Sequence, residues 1–497
     1  MSRRVEIAGW ILCLLLALLP RLWNLPARTF NLDEAYSFRF AERASLRQVF
    51  DPLSEVNRSE PHPTLFYTMT WGWLRSGYAL LESSGATRET ALRAMTVLVS
   101  LAGVAGVMAA ARAWAGRRAG LAAGLLAALS VYSVLLAREA RMYALLECGG
   151  AWLLFFLFRC LRDDRPRAGA LTGLVLAGWF TMASHYLGIV YAACAWACLA
   201  AFRPRAWPRW GAAGLVLAGL YAYWLTGFLL QAAAKGGGSA WYPSTGLVIP
   251  FTFFAFAGGH GLVELAGRAE ALRAAIPGLL LALFPLAALG VLWRRRGERA
   301  AAAPVVCAAV LLAAPLVLVW LASFRMEGLY DDTRYVAAGA PALFVPLAAG
   351  LTLARGRARP LIFAAAALFL AVNTAGLVRV ARAEARAQPD WRAVAAELRA
   401  IDPDAVAVYC DYMTLPLGFY APELELTGLP DRRIDARESL FEACPDLRQA
   451  DSVVLMISHP RGHEDDYRRL FGEIYGGLEP AGRGFHRVEL LVAGEAE

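Results

Sequence analysis

The sequence predicts a mainly α-helical, polytopic membrane protein of about eleven transmembrane helices, followed by a small extracytoplasmic α/β domain. Three observations predict it. Hydrophobic residues make up 58% of the 497, charged residues only 18%, and the mean hydropathy is +0.45, more apolar character than one soluble core needs. Apolar runs of about 20 residues, enough to cross the hydrocarbon, recur from the N-terminus to about residue 380. From about Glu384 the chain turns polar and alternates helical with strand-like periodicity.

The first run, Val5 to Leu22, follows Arg3 and Arg4 and has no small-residue cleavage site, so it reads as an uncleaved span with a cytoplasmic N-terminus. Further runs occupy approximately 91 to 114, 119 to 136, 142 to 160, 168 to 184, 186 to 202, 211 to 230, 276 to 293, 303 to 323, 336 to 354 and 360 to 379. The formal charge of +8 and the pI near 9.2 suggest nucleic acid at first sight, but the basic residues come in clumps between these runs. Arg117 with Arg118, Arg162 to Arg167, Arg203 to Arg209, Arg294 to Arg299 and Arg355 to Arg359 all fall on the cytoplasmic side of an eleven-span arrangement. The clumps therefore report topology, and no nucleic-acid partner is expected. A run from Pro63 to Tyr78 would invert every later loop if it crossed, so it reads as a helix lying along or dipping into the outer face.

This arrangement divides the chain into a membrane domain over 1 to 383, with a first outer loop at 23 to 90, and an outer α/β domain over 384 to 497. In the latter, "DWRAVAAELRAI" has helical spacing, while "DAVAVYCDY", "DSVVLMISHP" and "RVELLVA" read as strands. Cys13, Cys148, Cys160, Cys194, Cys198 and Cys307 lie in or beside spans, as small apolar fillers. Cys410 and Cys444 stand in a compartment that permits disulfides, and a bridge between them is expected, with two unpaired buried thiols as the alternative. No fixed-period repeat stands out, and no Walker, Rossmann or zinc spacing occurs; Gly236 to Gly238 reads as a loop tip.

Polar residues collect where the spans open outward. Asp33 and Glu34 sit side by side just past the first span, in "RTFNLDEAYSFRF". An acidic group at mid-depth costs roughly 2.5 to 3.5 kcal/mol, so a pair at the edge is better explained by action on a substrate. His62 follows in "EPHPTLFY", then Arg93 at the start of the second span, then Arg138, Arg141, Tyr143 and Glu147 in "AREARMYALLE", His185 in "SHY", and Arg334 with Tyr335 in "YDDTRY". Each has a plainer reading. His62 can orient a turn between its prolines, Arg93 can be an interface side chain, "YDDTRY" can be a solvated loop, and the 138 to 147 cluster can be a salt-bridged helix surface.

Taken in order, these elements resemble the membrane glycosyltransferases of the C-type superfamily, in particular bacterial relatives of the protein O-mannosyltransferases and the lipid A aminoarabinose transferase. The resemblance covers residues 1 to 380: an Asp-Glu pair in the first outer loop, an "HPxL" element, an Arg-Met-Tyr segment after the next hairpin, and a late "RY" before a proline-containing span. It implies transfer of a sugar from a polyprenyl-phosphate carrier to a lipid, glycan or protein acceptor outside the cytoplasmic (inner) membrane. It also implies that Asp33 is the catalytic base with Glu34 as its neighbour. The family's "HPPL" falls on His62, Pro63 and Leu65, with Thr64 in place of the second proline, and a Tyr-to-acid segment falls on Tyr143 and Glu147.

The residues taken by themselves agree with that chemistry. Displacing a lipid phosphate from an anomeric carbon requires a base for the acceptor's proton and cations for the leaving group. Asp33 can supply the first, and Arg138, Arg141 and Arg334 the second, since guanidinium grips phosphate oxygens with two parallel bonds. A single displacement inverts the anomeric centre. The donor's tail would lie among the helices, next to membrane lipids. A divalent cation on Asp33, Glu34 or Glu147 is left open, without a ligand-spacing motif. Three other classes stay open: a polysaccharide polymerase or ligase, a transporter of lipid-linked sugars with ionisable groups on broken helices at mid-membrane, and a sensor that recognises ligands with its outer domain.

Overall fold

The computed structural model describes residues 2–43, 45–50, 62–83, 85–235, 248–259, 299–325, 329–330, 332–383, 389–458, 462–481, 485 and 487–493. They form two compact units, Met1–Leu25 with Phe40–Ala381, and Pro26–Arg39 with Arg382–Glu497. The division falls inside helix Leu32–Arg43.

The first unit is a helix bundle. In chain order the described helices are α1 (Arg3–Leu22), α2 (Leu32–Arg43, divided between the units), α3 (Leu46–Phe50), α4 (Leu65–Glu82), α5 (Arg88–Ala115), α6 (Arg117–Leu129), α7 (Val131–Ala137) and α8 (Tyr143–Arg162). They continue with α9 (Ala168–Ser184), α10 (Gly188–Phe202), α11 (Trp207–Lys235), α12 (Val248–Phe256), α13 (Arg299–Ser323), a 3-10 turn at Thr333–Gly339, α14 (Pro341–Leu353) and α15 (Ala358–Ala383). Leu12 and Leu19 of α1, Leu215 and Leu229 of α11 and Leu361 of α15 are all more than half exposed. Water penalises such stripes by about 25 cal/mol per Å², whereas acyl chains do not. Close approach of backbones replaces the hydrophobic drive inside the bundle. A side chain at Gly103 of α5 would press to 3.2 Å from Cys148 Cα of α8, and one at Gly150 would collide with the Ala338 carbonyl of the 3-10 turn.

The mainly helical, polytopic architecture is as expected, and the spans can be counted among the described residues alone. Six described helices are long and apolar enough to cross a membrane, and eight if each of two bent pairs is one span. The expected run 119 to 136 is broken at Ser130, with α6 and α7 meeting at 63°. The run 336 to 354 bends by 43° where Pro341, lacking an N–H, starts α14. Helices α9 and α10 are shorter apolar helices, α4 is not among the spans, and the run 276 to 293 lies outside the described residues.

One end of the bundle gathers cations from separate loops. Buried Glu6 accepts from Arg112 Nε (2.6 Å) and Arg117 Nε (3.0 Å), Arg203 Nε donates to the Asp163 carbonyl (2.9 Å), and Arg209 to that of Pro166 (3.4 Å).

The second unit is built on a five-stranded sheet of β1 (Ala405–Tyr409), β2 (Leu426–Gly428), β3 (Val453–Ser458), β4 (Leu478–Pro480) and β5 (Val488–Ala493), in the order β2-β1-β3-β5-β4. Strand β1 runs parallel to β2 and β3, with Val406 opposite Leu426 and Val454, and β5 is antiparallel to β3 and β4. Every residue of β1 and β3 is buried, as strands covered on both faces must be. Ala407 and Tyr409 pack with Tyr467 and Phe471 of α19 (Glu464–Tyr475) on one face. Val406 and Val408 pack with Trp391 and Leu398 of α16 (Trp391–Ile401) on the other. Two further helices, α17 (Thr414–Tyr420) and α18 (Arg437–Ala443), complete it.

The segment 26–39 belongs to this unit. Phe30 and Phe38 set their rings 4.8 and 4.7 Å from Phe419, and Thr29 Oγ1 donates to the Pro389 carbonyl (2.8 Å). The expected Cys410–Cys444 bridge is corrected: no disulfide joins the two buried thiols, and Cys444 Sγ donates instead to the Gly428 carbonyl at 3.6 Å.

Candidate functional site

Asp33 and Glu34 lie in the first turn of α2, within the second unit. Asn31 caps this helix through Oδ1, which accepts the Glu34 N–H (2.7 Å), while Glu34 Oε2 accepts the Asn31 N–H (3.2 Å). This is the reciprocal geometry of a capping box, and it occupies the fully buried Glu34 carboxylate. Asp33 is half-buried, and its carbonyl accepts from Ser37 Oγ (3.0 Å).

The other sequence candidates lie in the first unit, at the bundle end opposite the Glu6 cluster, and they separate into three groups. Arg93 and Arg138 anchor main chain: Arg93 Nη1 donates to the Leu25 carbonyl (3.1 Å) and Arg138 Nη2 to that of Trp23 (2.6 Å), just past α1. Glu147 lies one turn inside α8, where it accepts from Ser133 Oγ (2.5 Å).

The third group is a cluster of rings and cations from four loops. His185, in the break between α9 and α10, stands 5.3 Å from the rings of both His62 and Tyr335 and 6.3 Å from Tyr143. Tyr143 and Tyr335 stack at 6.0 Å. The Arg334 guanidinium lies 4.9 Å above the Tyr143 ring and pairs with Glu139 Oε1 (2.8 Å) and Asp332 Oδ2 (2.7 Å). Asp332 also caps the 3-10 turn, accepting the Arg334 N–H (2.8 Å). Arg141 Nη1 reaches Tyr67 Oη at 3.5 Å. The Arg334 side chain is 29% exposed, whereas Arg141 as a whole residue is only 3% exposed, so Arg334 is the more accessible cation to an incoming anion.

His185 is 5% exposed and its protonation follows from its contacts. The Leu187 N–H donates to Nδ1 (3.2 Å), so the neutral ring carries its proton on Nε2. Burial, reinforced by His62 and Arg141 nearby, holds its pKa well below the usual histidine range. Nε2 is buried and has no hydrogen-bond partner among the described residues, which leaves a neutral donor for a ligand oxygen.

Three further side chains brace the cluster. Tyr132 Oη donates to the Thr333 carbonyl (2.9 Å), Tyr191 Oη to that of Val336 (2.7 Å), and Tyr330 shares a 2.6 Å bond with Thr252. Tyr132 and Tyr191 sit inside apolar runs and Tyr330 opens "YDDTRY", and the sequence signal is only that a buried phenol needs a partner. Among the described residues no three His, Cys, Asp or Glu side chains gather closely enough to hold a metal ion. Two guanidinium groups, a neutral imidazole donor and stacked tyrosines together suit a ligand with an anionic oxygen cluster and a flat or ring-shaped part.

No protein-family model and no curated protein matches the sequence. Solved structures do. The chain resembles ArnT from Cupriavidus metallidurans in the apo state with a TM-score of 0.60 at 14% identity, over 98% of both chains. The same protein bound to undecaprenyl phosphate gives 0.59 at 15% identity over 99% of both. The oligosaccharyltransferase of Archaeoglobus fulgidus, tethered to an acceptor peptide, gives 0.57 at 12% identity over 98% of this chain and 74% of that one. The chain therefore shares its fold with these proteins over nearly its whole length.

Proposed function

We propose that the protein is a membrane glycosyltransferase that moves a sugar from a polyprenyl-phosphate donor to an acceptor at the outer side of the cytoplasmic membrane. The observation that carries this reading is the cluster of Arg141, Arg334, His185, Tyr143 and Tyr335 at one bundle end. It occurs in a fold shared end to end with a protein that binds undecaprenyl phosphate. Arg334 and Arg141 take the phosphate oxygens, the His185 Nε2–H takes one further oxygen, and the tyrosine pair offers a face to the sugar. Asp33 keeps the role of base on the family resemblance, accepting the acceptor's proton as its oxygen attacks the anomeric carbon and the lipid phosphate leaves with inversion. Sugar and acceptor are assigned by class only: a pentose or hexose, and a lipid, glycan or protein hydroxyl or amine.

A transporter reading gains one supporting observation, the ionisable Arg21 and Glu147 beside the broken α6–α7 span. The space between them is about 10 Å³, room for one water and not for a sugar. Purified protein in nanodiscs decides between the two. Release of free polyprenyl phosphate from a panel of polyprenyl-phosphate sugars, with a supplied acceptor, is expected. No release with any of them, together with no change in unfolding temperature on adding undecaprenyl phosphate, would overturn the transferase.

A further inference from the structure

The break at Ser130 exposes backbone groups that hydrocarbon cannot satisfy. Helix α6 ends at Leu129, so its last carbonyls have no intrahelical partner. The fully buried Arg21 of α1 supplies one: Nη1 donates to the carbonyls of Ala128 (3.0 Å) and Ala17 (2.8 Å), Nη2 to that of Ala127 (3.3 Å), and Nε to Ser100 Oγ (2.9 Å). Across the break, the Val131 N–H donates to Asn373 Oδ1 of α15 (2.9 Å). Ser130 Oγ caps α7 through the Ser133 N–H (3.3 Å), and the Ser133 hydroxyl turns to Glu147. Side chains from three other helices thus hold one bend.

A straight helix over 117–137 would need none of this. It would also spare the cost of burying a guanidinium in a span. What the bend delivers lies at the far end of α7. That end leads directly into Arg138 and Arg141, and Tyr132 on the same helix holds the Thr333 carbonyl of the turn that carries Arg334. We propose that Arg21 is a positioning residue, whose guanidinium fixes the bend at Ser130 and thereby the placement of Arg141 and, through Tyr132, of Arg334. Lysine cannot replace it, because a single ammonium cannot reach Ser100 and both α6 carbonyls at once. The cation also sits at the carbonyl end of α6, where the helix dipole favours it.

The test uses the full chain in nanodiscs, with hydrogen exchange read peptide by peptide and undecaprenyl phosphate as the probe ligand. In Arg21→Lys the protein still folds and reaches the membrane with a lowered unfolding temperature, while exchange rises across 127–137 and 333–339 and stays unchanged across 391–458. Affinity for undecaprenyl phosphate falls about 10- to 100-fold, the scale of an ångström-sized misplacement. Ser100→Ala, which leaves the carbonyl bonds in place, gives the same pattern at smaller size and serves where Arg21→Lys does not fold. Unchanged exchange across 127–137 in the folded variant overturns the proposal, as does a uniform rise over the whole bundle. The ligand arm rests on the transferase reading. Wild-type protein that ignores undecaprenyl phosphate refutes that reading, and the exchange arm then decides this one.

Discussion

Asn31 and Glu34 satisfy each other's backbone N–H groups at the start of α2, which separates the roles of two adjacent acids. Neighbouring residues on a helix point about 100° apart, so Asp33 does not share that bond. Glu34→Gln keeps an acceptor and should leave turnover and unfolding temperature near wild type. Glu34→Ala should cost about 0.5 to 2 kcal/mol of stability. Asp33→Asn should instead lower turnover about 100- to 10,000-fold at unchanged stability. Turnover and thermal unfolding on the same three purified variants check this, and a Glu34→Gln as inactive as Asp33→Asn would return Glu34 to the chemistry.

Much of this was legible in the sequence, and the parts that were not have physical causes. Apolar runs announced the helices, and "SHY", "YDDTRY" and "AREARMY" marked loops that do gather. Residues 119–136 read as one span because two serines, Ser130 and Ser133, among apolar residues look like tolerated polarity, and the guanidinium that holds the bend at Ser130 comes from 109 residues away, at Arg21. Phe30 and Phe38 gave no sign of joining the C-terminal unit, since their partner Phe419 is almost 400 residues distant in sequence. The Asn-x-x-Glu cap was readable, but the neighbouring aspartate made the pair look purely chemical.

Arg138 and Arg141, three residues apart, should respond differently to lysine. Arg138 Nη2 holds the Trp23 carbonyl at 2.6 Å, so Arg138→Lys should lower the unfolding temperature with donor affinity largely kept. Arg141 faces Tyr67 beside the His185 cluster, so Arg141→Lys should weaken binding of undecaprenyl phosphate about tenfold at unchanged stability, through loss of the planar fork. Calorimetric titration and thermal unfolding on both variants separate the roles. Equal loss of affinity in both would place Arg138 in the phosphate site as well.

His185 ties stability to acid pH. Its folded-state pKa is depressed by burial, then by His62 and Arg141, so the unfolded chain binds the extra proton first. Stability from this group is complete above the unfolded value of about 6.5 and is lost as pH falls below it, by up to about 1.4 kcal/mol per pH unit. Lowering pH from 7.5 to 5 should therefore depress the unfolding temperature more in wild type than in His185→Gln, which cannot take up that proton. Equal depression in both would remove His185 as the cause.

The charge distribution predicts a membrane orientation that labelling can test directly. Arg112, Arg117, Arg203 and Arg209 gather at the bundle end that also holds Glu6 and the 162–167 loop, and cationic loops are retained in the cytoplasm. The opposite end, with Arg141, His185 and Arg334, is then expected to face outward, and the C-terminal domain is expected outside on its own count of spans. All eight native cysteines are buried, so background labelling should be low. A cysteine at exposed Arg165 should react with an impermeant maleimide only after permeabilisation, whereas one at exposed Glu438 should react in intact cells. The reverse pattern would invert the protein and move the proposed transfer to the cytoplasmic face, where the donor would have to be presented from the inner leaflet.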